Sequence, residues 1–106
     1  MNILNIFISF FIKMKFDVYI IITKKINRYV TYVGYAKEIK KRILLHNSSK
    51  GAKFTKGNYW EIIYKKSYKS KSEAMKAEYK LKKNYKFRDI LKKKYIENED
   101  INITTL

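Results

Sequence analysis

The chain has 106 residues, no cysteine, no proline and a formal net charge of +16. One compact core fits that length and two separate cores do not; a disulfide framework and a thiolate zinc site are excluded, and an intracellular, cytoplasmic setting is expected. Positive charge on this scale attracts polyanions, so nucleic acid is the first partner to consider, although only three of the 25 basic residues are arginine, and a lysine surplus is also what an AT-rich coding sequence produces.

The opening "MNILNIFISFFIK" is apolar, lacks basic residues ahead of the apolar run and a small-residue cleavage site, and is too short to span a bilayer. Residues 1–14 read as an apolar N-terminal extension, or as residues ahead of a natural beginning at Met14, and no membrane attachment is expected. Residues 17–23, "DVYIIIT", and 29–35, "YVTYVGY", are β-branched and aromatic around a polar break, which predicts an antiparallel hairpin. Tyr19 and Tyr32 become cross-strand neighbours where the register allows.

Residues 37–47 suit a helix with Ile39 and Ile43 on one stripe and Arg42 and His46, the single histidine, projecting together from an adjoining one. Residues 47–58, "NSSKGAKFTKGN", are a loop suited to lie on phosphates, with Lys50, Lys53 and Lys56 as candidate contacts. A third strand is expected over 59–68 with Trp60, Ile62 and Tyr64 on one face. Ser70 three residues before Glu73 predicts a helix start near residue 71, with an apolar stripe of Ala74, Ala77, Leu81 and Tyr85. Glu78 falls on this stripe, and a carboxylate there needs a cation, a metal or strong hydrogen bonds. A last helix is expected over about 87–96, followed by an acidic tail, 97–106.

The order of these residues resembles the GIY-YIG endonuclease family. The first motif ends on a tyrosine, here Asp17-Val18-Tyr19, with Asp17 standing where the family has glycine; the second is Tyr32-Val33-Gly34; an arginine follows at Arg42, a polar residue one turn later at His46, and the later helix carries Glu78 between Ala74 and Lys82. The likeness covers residues 16–96 and is nearest to small stand-alone bacterial members and Slx-type catalytic domains. No second domain like that of the larger members is expected after Leu106, an expectation that favours the stand-alone group.

The resemblance implies an α+β fold with a small three-stranded antiparallel sheet, flanked by about three helices, within residues 15–96. It implies a DNA phosphodiester hydrolase with Tyr19, Tyr32, Arg42, His46 and Glu78 in catalysis and one Mg2+ or Mn2+ ion on Glu78, with Tyr32 the first choice of general base. Repair or recombination intermediates are the expected substrates. Each residue alone also has an ordinary reading, as core aromatic, solvated basic face or helical ion pair, and the rival class is a non-catalytic basic nucleic-acid-binding module.

Overall fold

The computed structural model describes residues 2–6, 15–48 and 53–104. Three antiparallel strands, β1 (Phe16–Lys24), β2 (Tyr29–Ala36) and β3 (Glu61–Tyr68), form one sheet in the order β2-β1-β3. Helices α1 (Ile39–Asn47), α2 (Lys71–Lys83) and α3 (Tyr85–Thr104) flank it, a 3-10 turn spans Lys53–Thr55, and residues 3–6 form one further helical turn. The α+β architecture is the expected one.

Central β1 explains its own sequence. Val18, Ile20 and Val33 are buried beneath α2 and α3 with Ala74, Leu81, Phe87 and Leu91, whereas Tyr19, Ile21, Ala36, Ile39 and Trp60 pack together on the other face. A strand covered on both faces loses the alternation of a half-exposed strand and reads as a continuous apolar run. The hairpin closes through Lys25 and Arg28, with the Lys25 N–H donating to the Arg28 carbonyl at 2.7 Å.

Strand β3 departs from the expected period. Ile20 lies opposite Tyr64 but Ile21 opposite Ile62, so Ile63 is an extra residue in a bulge. The extra residue puts Tyr64 on the α2–α3 face, while Ile62 shares the face of Trp60. The expectation of Trp60, Ile62 and Tyr64 on one face is corrected accordingly.

Helix α2 begins as expected: the Ser70 hydroxyl accepts the Glu73 N–H at 3.1 Å. It ends at Asn84, whose side chain accepts the Phe87 N–H and so caps α3. This break removes Tyr85 from the apolar stripe of α2 and leaves it 74% exposed. Helix α3 starts earlier than expected and continues to Thr104, through residues set apart as an acidic tail. Tyr95 anchors it to β3, donating to the Glu61 carboxylate at 2.9 Å, and its ring meets Tyr29 edge-on.

Candidate active site

The β1–β2 register sets the site. Tyr19 lies opposite Gly34 and Tyr32 opposite Ile21, so the two tyrosines share a face as diagonal neighbours, one step removed from direct opposition. Asp17 continues the ladder between Ala36 and Ser67 and accepts the Ser67 hydroxyl, so its position needs no glycine. Gly34 is needed for space: a Cβ there would lie 2.5 Å from the Tyr19 hydroxyl and 2.6 Å from its Cζ. Because that ring is buried, Gly34→Ala is expected to cost about 1–3 kcal/mol, seen as a melting temperature lowered by about 4–8 °C per kcal/mol. An unchanged melting temperature would show that the ring has room to retreat.

Helix α1 divides the pair that the sequence places together. His46 extends the inward stripe of Ile39 and Ile43 and is 1% exposed, whereas Arg42 stands at the exposed rim. The His46 Nε2 lies 3.0 Å from the Tyr19 hydroxyl, and its ring meets those of Tyr19 and Tyr32 edge-on at 6.0 and 5.4 Å. Burial, reinforced by the neighbouring Tyr32, pushes the Tyr19 phenol far above its ordinary range against the opposite pull of Arg42. Burial and the Arg42 charge both push His46 down. The pair is therefore neutral at physiological pH, a phenol against an imidazole.

Asn47 fixes the end of α1. Its side chain accepts the Trp60 N–H at 2.6 Å and donates to the Trp60 carbonyl at 3.1 Å, tying α1 to the entry of β3. Trp60 in turn backs Tyr32 and Phe54, and Phe54 stacks on Tyr32 at 5.9 Å. The loop thus reaches the site through an aromatic ring, with exposed Lys53 and Lys56 beside it; Lys50 lies outside the described residues.

Glu78 comes from α2. It lines a cleft of about 400 Å³ together with Tyr19, Tyr32, Gly34 and Arg42, and Lys37 and Lys71 add positive charge to its walls. The Glu78 side chain is 15% exposed and pairs with Lys82 at 2.6 Å, which answers the cost of a carboxylate on the inner side of the helix. No group of three His, Cys, Asp or Glu side chains that could hold a metal occurs among the described residues. One carboxylate facing an open cleft suits Mg2+ or Mn2+, hard cations that keep several waters and share substrate oxygens, better than a metal that needs a full protein cage.

Four of the five candidate catalytic residues thus line one cleft, and the fifth, His46, lies beneath it on Tyr19. Three participants escape sequence reasoning: Asn47, Phe54 and the spatial role of Gly34. The spacing of Ile39, Ile43 and His46 would have placed the histidine inward, while the other contacts depend on pairing register and loop path.

The three-stranded antiparallel sheet with its flanking helices is consistent with a GIY-YIG catalytic domain, and the family model of that domain matches residues 15–95. The chain belongs to the GIY-YIG family. Among bacterial relatives it is 45% identical over 69 residues to a UPF0213 protein of Staphylococcus epidermidis, covering 64% of this chain and 80% of the relative. It is 39% identical over 75 residues to a UPF0213 protein of Streptococcus pneumoniae, covering 68% and 72%. A UPF0213 protein of Oceanobacillus iheyensis is 36% identical over 69 residues, covering 64% and 80%. No solved structure matches the chain. No helix among the described residues is long and apolar enough to cross a membrane.

Proposed function

We propose that the protein is a metal-dependent endonuclease hydrolysing phosphodiester bonds in DNA, with branched or damaged repair and recombination intermediates as its substrates. The observation that carries this reading is the meeting of Tyr19, Tyr32, Arg42 and Glu78 in one cleft over a buried Tyr19–His46 hydrogen bond. A small domain has few base contacts to offer, which favours substrates distinguished by shape.

Each side chain then has a task. Arg42, exposed at the rim, grips the scissile phosphate through its planar fork and neutralises charge as the attacking oxygen bonds to phosphorus. Tyr32 orients the attacking water. A neutral phenol is a poor base alone, and the His46 contact belongs to Tyr19 and not to Tyr32; the base role expected of Tyr32 therefore passes to Tyr19, which takes the water's proton while passing its own to the His46 Nε2, so no free phenolate is formed. Burial keeps His46 neutral before the step, so that in the tautomer carrying hydrogen on Nδ1 its Nε2 faces the Tyr19 hydroxyl as an acceptor; the same burial and the Arg42 charge make the imidazolium a transient carrier of the proton. The leaving oxygen takes its proton from solvent. Glu78 would hold one Mg2+ or Mn2+ ion, which supplies Lewis-acid polarisation of the phosphoryl oxygen. Lys53 and Lys56 add phosphate contacts from the loop, as Lys50 would on the same sequence argument.

Arg42→Lys keeps the charge and loses the fork, so single-turnover cleavage is expected to slow by about 100-fold; parent-like cleavage by the lysine variant would contradict the role given to the guanidinium. The 2.6 Å Glu78–Lys82 pair favours a second reading, in which the carboxylate only completes a helical ion pair and the domain binds nucleic acid without turnover. Incubation of end-labelled DNA with Mg2+ or Mn2+, against the same mixture in chelator, separates the two: the first reading requires metal-dependent strand breaks and the second forbids them.

A further inference from the structure

A second hollow, of about 410 Å³, is lined by Thr31, Tyr85, Lys86, Arg88, Asp89 and Lys92. Thr31 follows Val30 and precedes Tyr32 on β2, and its side chain faces the α2–α3 side of the sheet, with Val33. Lys82 links the hollow to the cleft: its side chain pairs with Glu78, and its carbonyl accepts from the Arg88 guanidinium at 2.6 Å. That guanidinium also lies 4.9 Å from the centre of the Tyr85 ring, and Tyr85 remains 74% exposed with this cation against it. Across the Asn84 turn the arrangement recurs: Lys83 sits 4.2 Å from the Tyr79 ring centre, and Tyr79 is 59% exposed.

An exposed aromatic ring costs free energy in water that folding leaves unrecovered. Aromatic faces with cations beside them are the stacking platforms on which proteins hold unpaired bases, because every base has a π face and every linking phosphate a charge. Duplex DNA hides its base faces and offers such a ring nothing. The carboxylate in the hollow, Asp89, is paired with Lys93 at 3.0 Å, which offsets its repulsion of a phosphate.

We propose that this hollow is a subsite for an unpaired nucleotide on the strand leaving the cleft. The base stacks on Tyr85, Arg88 supports the ring, and Lys86 and Lys92 hold the flanking phosphates. The proposal rests on the nucleic-acid reading of the cleft and deepens it: a strand with an unpaired segment next to the scissile bond is bound better than uninterrupted duplex.

The test is fluorescence anisotropy of labelled single-stranded oligothymidylate and of a blunt duplex, with the full chain in chelator so that nothing is cut. Tyr85→Ala should weaken single-strand binding about tenfold or more, Tyr85→Phe should stay within about twofold of the parent, and duplex affinity should change less than about twofold in both variants. Lys86→Gln with Lys92→Gln should make the salt dependence of single-strand binding shallower by about 1.4 in log–log slope. Equal loss on both DNAs in Tyr85→Ala, failure of phenylalanine to rescue, an unchanged salt slope, or no single-strand binding by the parent would each overturn the subsite. A parent that cuts DNA while Tyr85→Ala binds normally removes only the subsite; one that cuts nothing while Tyr85→Ala selectively loses single strands removes only the nuclease.

Discussion

Glu78→Gln is expected to abolish cleavage, by about 1000-fold or more, while the protein stays folded and continues to bind DNA. Glutamine is nearly isosteric with glutamate but carries no charge, so it loses the attraction for a divalent cation, and the stabilisation of developing phosphoryl charge goes with it. The stability cost is small. Its partner Lys82 is one helical turn away and half-exposed, and such pairs contribute roughly 0.5 kcal/mol. Removing a negative charge from a basic cleft leaves DNA affinity unchanged or tighter, read as a binding curve in chelator. Parallel loss of binding and activity would instead make Glu78 a structural residue.

Trp60→Ala is expected to be the most damaging substitution to the fold. Trp60 is among the largest fully buried side chains and packs with Tyr19, Ile21 and Ile39 on the sheet face opposite α2 and α3. Truncating a buried aromatic costs about 3–5 kcal/mol, out of a typical total of about 5–15 kcal/mol. Urea unfolding should show the transition displaced by that amount, and activity should fall even in the folded fraction, because Tyr32 and Phe54 lose the ring behind them. The backbone bonds from Trp60 to Asn47 do not depend on the indole, so the tie to α1 should survive the substitution. A loss below about 1 kcal/mol would mean that the site collapses to fill the space.

The two kinds of information in the sequence carried unequally into the structure. Strands β1 and β2 were legible because β-branched and aromatic runs around a polar break have few other uses, and Ser70 with Glu73 marked the start of α2 on local chemistry alone. The bulge at Ile63 was not legible: a single inserted residue changes the face of everything beyond it without altering composition. The apolar spacing that places Tyr85 in the core runs on through Asn84. A capping asparagine interrupts the helix there without disturbing that spacing.

At the site, the order of Tyr19, Tyr32, Arg42 and Glu78 was sufficient to bring four side chains to one cleft, through the resemblance of their motifs. The inward side of α1 is marked by the spacing of Ile39, Ile43 and His46, but the bond from His46 to Tyr19 depends on how α1 sits on the sheet. The close approach of Gly34 to the Tyr19 hydroxyl required the register, which only the paired strands define.

Catalysis at the cleft that holds Glu78 is tested most directly by cleavage of a labelled panel of branched, flapped, nicked, single-stranded and linear duplex DNAs by the parent and Glu78→Gln, with Mg2+ or Mn2+ and with chelator. Strand breaks in at least one substrate, made by the parent with metal and lost in both controls, are the expected result; an uncut panel, or equal cutting by Glu78→Gln, would contradict it.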